Sequence, residues 1–306
     1  PGVVFQDTAI SFDQQIGGKI EQLTLYLSLR HMLTGRLAFS SVTADGAAWI
    51  VRLPARDDAP FNLDEYEEKV RALVKHVGLV FPGMNLRVHR GTAEISRAGG
   101  PTLKIADIEA NFGFTLEKLA LTISAGANVA DGIRFTGEVA TDTLASEARL
   151  SVENLGLRKA FEFFSPGSVG WVDDGALTLS VKLTGEGFKT FRAEIAGSLP
   201  SLTLARGARK ALIAAKDFKA VVSGDEKVFR VDIEALPLAS PPVKLAGELI
   251  FHRSSSLFSA MLTGRDIDVG MIRKSALLLA DDFTAVHDVF LYLQGGAIAE
   301  VRVEAR

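Results

Sequence analysis

Residues 108–123 read IEANFGFTLEKLALTI. Ile108, Ala110, Phe112, Phe114 and Leu116 occupy every second position, with Glu109, Asn111, Gly113 and Thr115 between them. Leu119, Leu121 and Ile123 then resume the alternation. A period of two sends successive side chains to opposite faces of an extended chain, so the stretch reads as two strands, each with one apolar and one wet face. The same pattern spreads in both directions. It occurs at Leu23, Leu25, Leu27 and Leu29, and at Leu86 and Val88, then after a break at Gly91 at Ala93 and Ile95. Further on it recurs at Leu177, Leu179, Val181 and Leu183; at Phe191, Ala193 and Ile195; at Phe229, Val231 and Ile233; and at Val243, Leu245, Leu249 and Phe251. Gly-containing pairs such as Asp45-Gly46, Asp131-Gly132, Asp174-Gly175 and Ser223-Gly224 read as the turns between strands. About 15–18 antiparallel strands are predicted, mostly joined by short hairpins.

Few segments read as helix. Residues 64–80, DEYEEKVRALVKHVGLV, place Tyr66, Val70, Leu73, Val74 and Val77 on one stripe. Acids open this segment and Lys75 and His76 lie near its end, as the helix dipole favours. Shorter candidates are 28–34, 156–164, 206–215 and 282–293. Three helices lead into a Gly-containing turn and a strand: Phe81-Pro82-Gly83, Phe164-Ser165-Pro166-Gly167 and Leu293-Gln294-Gly295-Gly296. This is a weak internal repeat. No linker or low-complexity tract divides residues 1–306, which read as one continuous module.

Composition narrows the function. The 306 residues carry 34 Lys and Arg against 37 Asp and Glu, without the basic surplus that nucleic acid requires. Cysteine is absent, which removes thiolate chemistry and disulfides. No apolar run approaches the roughly 20 residues of a membrane helix. Asp57-Asp58, Asp173-Asp174 and Asp281-Asp282 read as turn and cap residues rather than catalytic pairs. His31, His76, His89, His252 and His287 show no metal-ligand spacing, so no metal or cofactor is expected. No nucleophile motif is present, and Gly185-Glu186-Gly187 reads as a hairpin turn. Arg206, Arg209, Lys210 and Lys216 read as the solvated face of a short helix, with anionic head groups as the alternative partner. The helix at 64–80 reads as a cap on the sheet's apolar interior. Its mixed charge lacks the basic excess of a membrane-surface helix.

So many one-sided strands must hide their apolar faces, at roughly 25 cal/mol per Å². A barrel, a two-sheet sandwich or a sheet folded along its length would each do so. The last can leave an elongated trough open to a hydrocarbon guest. Phenylalanine (19, against 2 Trp and 3 Tyr) leans towards that solution, since its ring has no polar atom to satisfy.

Phe5-Gln6-Asp7, Leu23–Leu29, the run His31-Met32-Leu33-Thr34-Gly35-Arg36-Leu37-Ala38-Phe39, Val42 and Trp49-Ile50-Val51-Arg52-Leu53 resemble the start of the AsmA-like family. The passage Phe81-Pro82-Gly83-Met84-Asn85-Leu86 is similar to that family's helix-to-strand turn. The closing Asp282-Phe283 to Gly295-Gly296-Ala297-Ile298 is similar to its large YhdP-type members. The resemblance implies a mainly β fold, in which a long antiparallel sheet is folded along its length into an apolar groove with a few short helices. It implies a piece of a longer chain anchored in the bacterial inner membrane and reaching through the periplasm. The implied function is transfer of phospholipid, or another acyl lipid, to the outer membrane without a chemical step.

The groove would be lined by Leu23, Leu25, Leu27 and Phe39; by Leu86, Val88, Ile105, Phe112 and Phe114; and by Leu121, Ile123 and Phe135. Further along it would be lined by Leu177, Leu179, Val181, Phe191, Ile195, Phe229, Val231, Ile233, Leu245, Leu249 and Phe251. A structural or adhesive β-solenoid or sandwich with a filled core is the alternative. A polysaccharide-processing enzyme is disfavoured, because Trp49 and Trp171 are the only tryptophans available as sugar platforms.

Overall fold

The computed structural model describes every residue except 1, 13–14, 29–31, 34–38, 54–62, 81–82, 98–99, 166–169, 188, 207–208, 254, 256, 280–283 and 306. At 12, 63–66, 77–80, 206, 279, 284–287 and 305 it describes the backbone only. The chain is mainly β: among the described residues fifteen strands form a single sheet, in chain order and not closed into a barrel. Its contacts divide it into two compact units, Pro1–Ser151 with Leu183–Phe188, and Val152–Lys182 with Lys189–Arg306.

The first unit holds β1 (Gly2–Phe12), β2 (Ile16–Leu27), β3 (Phe39–Leu53), β4 (Asn85–Arg97), β5 (Thr102–Phe114), β6 (Lys118–Ala127) and β7 (Ala130–Ala140). β8 (Ser146–Gly156) and β9 (Val172–Glu186) give residues to both units. The second unit holds β10 (Thr190–Arg206), β11 (Arg209–Gly224), β12 (Val228–Ser240), β13 (Pro242–His252), β14 (Leu257–Asp268) and β15 (Ala297–Ala305).

Antiparallel pairing is not universal. β3 and β4 run parallel, with Val42 beside Leu86 and Val51 beside Ile95. A parallel pair needs a crossover, because the chain must return to the end from which it started. The crossover is α1 (Leu63–Val80), the helix foreseen at 64–80. Its 18 residues rise roughly 27 Å, well over half the roughly 43 Å of the 13-residue β4. α2 (Leu157–Phe164) and α4 (Thr284–Tyr292) also lie where helix was expected. Residues 206–215 do not. Arg206 ends β10 and residues 209–215 belong to β11, paired with Arg206 opposite Arg209 and Leu204 opposite Ala211. Their alanines and leucine favour helix, but Ala211, Ile213 and Ala215 also alternate, and pairing with β10 prevails over propensity. An unforeseen helix, α3 (Val269–Leu279), lies against β11, β14 and α4. The candidate at 28–34 is described only in part, with Met32 and Leu33 helical.

Hairpins follow local chemistry. Asp225 Oδ1 accepts from the Lys227 and Val228 N–H groups, 2.7 Å each, to close β11–β12. Thr115 exchanges hydrogen bonds with Lys118 to close β5–β6. Asp45-Gly46, read as a turn, lies instead inside β3, where Gly46 takes φ +63°. Asp174-Gly175 lies inside β9, and Asp131-Gly132 and Ser223-Gly224 sit just within strands, beside their turns. Gly187, with φ +63°, does turn the chain from β9 to β10.

Gly46 belongs to a row. By register, Asp7 of β1, Glu21 of β2, Gly46 of β3 and Arg90 of β4 stand at one level across the sheet, and Asp107 of β5 lies close by. Asp7, Arg90 and Asp107 also adopt positive φ, between 50° and 52°. At this level the apolar alternation steps by three instead of two: Ile20 to Leu23, Ala44 to Ala47, Val88 to Gly91, Ile105 to Ile108. Irregularities of this kind are β-bulges, which bend the strand and sharpen its twist. The extra residue returns the next apolar side chain to the same face, so a single face stays apolar across the bend. The second unit repeats the device at Asp217 (φ 52°) and Asp266 (φ 57°).

Candidate functional site: a half-exposed apolar face

Cross-strand partners share a face, so the register assembles the expected lining into continuous rows. In the first unit one row runs Phe5, Leu23, Ala44, Val88, Ala110, Ile123, Phe135. The next runs Val3, Leu25, Val42, Leu86, Phe112, Leu121. Leu27 stands opposite Phe39, Ala93 opposite Ile105, and Phe114 opposite Leu119. In the second unit Ile195, Ala220, Ile233, Gly247, Leu262 and Val303 form one row, and Ala193, Val222, Val231, Leu249 and Ala260 another. Leu245 continues through Gly264 to Val301. Leu177, Leu179 and Val181 lie on β9, half-buried, alternating with exposed Thr178, Ser180 and Lys182.

A third row of the second unit is aromatic: Phe191, Gly224, Phe229, Phe251, Phe258. The Phe191 and Phe229 rings approach to 6.3 Å between centroids, tilted by 46°. They meet across Gly224, where a Cβ would come within 2.6 Å of the Phe191 ring. The glycine keeps the aromatic surface unbroken.

Burial is the decisive property of these rows. None of the expected lining residues is buried; Phe39 and Phe251 are exposed and the rest half-buried. No large side chain among the described residues is fully buried. Two patches gather several of the buried residues. Ile20, Ala44 and Ala47 pack beside the row of bulges with Ile10, Leu23, Trp49 and Val88 around them. Val172, Leu204, Ala211 and Leu278 form the patch under α3. Both patches lie beside a bulge or a helix. Along the rows Ala44, Ala110 and Ala193 are buried, while the larger side chains remain partly open.

The opposite face is held by ion pairs. Arg90 spans three neighbours: its Nε and Nη2 donate to the two Asp45 carboxylate oxygens at 2.8 Å, and Nη2 reaches Glu21 at 3.4 Å. Its backbone N–H donates to Glu109 Oε1 at 2.9 Å, while Glu109 Oε2 meets His89 at 2.6 Å. The Arg90 guanidinium holds the Asp45 carboxyl below the ordinary aspartate range. The Arg90 N–H, then His89, do the same for Glu109. Further along, Arg230 pairs with Glu248, Lys244 with Asp266 and Arg265 with Glu300.

Asp173 pairs with Lys210, which lowers its pKa, and Asp174 accepts from the Gly175 N–H; neither is set against the other as an acid–base pair. Asp57-Asp58, Asp281-Asp282 and His31 lie outside the described residues. Lys210, expected on a helix, sits on β11. Leu73 of α1, expected to cap the apolar interior, is 62% exposed, and α1 touches the sheet mainly at β6. Among the described residues no group of three or more His, Asp or Glu is placed to hold a metal, and no helix is long and apolar enough to cross a membrane. The sequence reading passed over Arg273 of α3. The helical stripe of VGMIRKSALLL, residues 269–279, was the signal that placed it.

No family model matches the chain, and no match is found among characterised proteins.

Proposed function

We propose that the chain is a lipid-carrying module, which shelters the acyl chains of phospholipids on its apolar face while their head groups stay in water. The observation that carries this reading is the incomplete burial of the large Leu, Ile, Val and Phe side chains expected to line the face in both units, with no large side chain fully buried among the described residues. A face left this open is short of its own packing partners, and each CH₂ group of a guest removes more hydrocarbon from water, about 0.8 kcal/mol apiece. Leu, Ile, Val and Phe impose no hydrogen-bond geometry, so contacts along a row are nearly equivalent and a tail can slide. Transport by this route needs no chemical step and no resident cofactor.

The sequence resemblance supplies the setting. In this reading the chain is an AsmA-like repeating β-groove segment of a longer protein anchored in the bacterial inner membrane. It acts in the periplasm between inner and outer membranes and supports outer-membrane biogenesis. The test is photocrosslinking with a phosphatidylethanolamine carrying a diazirine at its acyl terminus. Adducts are expected on peptides holding Phe112, Leu121, Ile195 and Phe229. Adducts confined to the ion-paired face, or none, would contradict the proposal.

A further inference from the structure

Several exposed cations of the second unit pair with carboxylates although water alone would solvate them. Lys189 pairs with Glu226, Lys210 with Asp173, Arg230 with Glu248 and Arg302 with Glu304, each cation keeping roughly half or more of its side chain in water. Arg273 of α3 is half-buried and does not pair in this way. Its Nε is shut off from water and has no hydrogen-bond partner among the described residues, and it makes no ion pair there. Val269, one turn earlier on the same side of the helix, is 2% exposed. Leu278, near the helix end, packs with Val172, Leu204 and Ala211. A guanidinium N–H withdrawn from water calls for an acceptor, and none of the described residues supplies one to Nε.

The guanidinium fork fits a planar or tetrahedral oxyanion, two N–H groups to two oxygens. Around α3 the neighbouring buried surface is hydrocarbon, so the anion that belongs there arrives joined to hydrocarbon. Building on the lipid-carrying reading, we infer that Arg273 is the head-group anchor: it binds the phosphate of an acyl lipid whose tails lie on the apolar face of the second unit. A lipid of the same tails without a phosphate then binds more weakly.

Three probes separate the possibilities: dilauroylphosphatidylglycerol, dilauroylglycerol and inorganic phosphate, each titrated against the 306-residue chain. The phospholipid is expected to bind about ten-fold or more tighter than dilauroylglycerol, as a charged hydrogen bond allows. Arg273→Met should abolish that preference and keep the dilauroylglycerol affinity, while Arg273→Lys keeps part of the preference. Without lipid, Arg273→Met should melt no lower than the parent, because it removes a buried Nε–H that no described residue satisfies. An unchanged preference in Arg273→Met overturns the inference, as does a lower melting point, which would reveal an internal partner. Inorganic phosphate bound with the same dependence on Arg273 would make this a free-phosphate site and overturn the lipid anchor. If dilauroylglycerol binds and the preference is absent, the anchor alone fails; if neither lipid binds, the lipid-carrying reading fails with it.

Discussion

Arg90 sits in a backbone conformation that arginine seldom adopts, φ 52°, and it is kept there by what it touches. Its N–H and guanidinium together engage Glu109, Asp45 and Glu21, which lie on three other strands. Left-handed backbone costs a non-glycine residue roughly 1–2 kcal/mol. Arg90→Ala keeps that cost and loses the contacts, whereas Arg90→Gly loses the contacts and sheds most of the strain. Chemical denaturation should therefore find Arg90→Gly more stable than Arg90→Ala by about 1 kcal/mol, both below the parent. Acid acts on the same network. Asp45, Glu109, Asp173, Asp225 and Asp266 all have carboxyl pKa values lowered in the folded chain. Their contribution is complete above the ordinary carboxylate pKa and disappears as pH falls through the folded values. Melting temperature should hold level from pH 7 to about pH 5 and fall below about pH 4. Loss of stability between pH 7 and 6 would contradict this.

Strands were legible because alternation is a local property of the chain. At the level of elements the same alternation also recorded the bulges, as steps of three between Ala44 and Ala47 or Val88 and Gly91. Asp45-Gly46 could not disclose its role by type. Positive φ at glycine serves a turn and a bulge equally, and only the neighbouring strands decide. The parallel β3–β4 pair was hidden for a similar reason, since the length of a connection does not state the direction of return. Residues 206–215 carry two periods at once, and the partner strand chose between them. Gly247 offers a direct test at this scale. It takes φ +154°, and a Cβ there would lie 2.1 Å from the Met261 carbonyl oxygen, a backbone atom of the adjacent strand. Gly247→Ala should destabilise the chain by about 2–3 kcal/mol, read from urea midpoints. A shift under 0.5 kcal/mol would mean that β13 and β14 are less closely joined than described.

Over the whole molecule, the apolar face follows from sequence, but its half-exposure does not. Periodicity states which side of a strand is greasy and is silent on whether a second layer covers it. Ala215 and Ile195 display the difference: both belong to apolar alternations, yet Ala215 is 0% exposed and Ile195 half-buried. A charge at Ala215 has nowhere to go, and Ala215→Glu should cost more than about 4 kcal/mol or prevent folding. A charge at Ile195 or Leu179 can turn to water. The measurement that bears most directly on the central claim is the phospholipid content, by mass spectrometry of solvent extracts, of the purified parent and of Ile195→Glu and Leu179→Glu, with circular dichroism as the check on folding. We predict lipid in the parent, and folded variants depleted of it. Parent protein free of lipid, or variants that unfold as Ala215→Glu does, would contradict an open hydrocarbon-binding face.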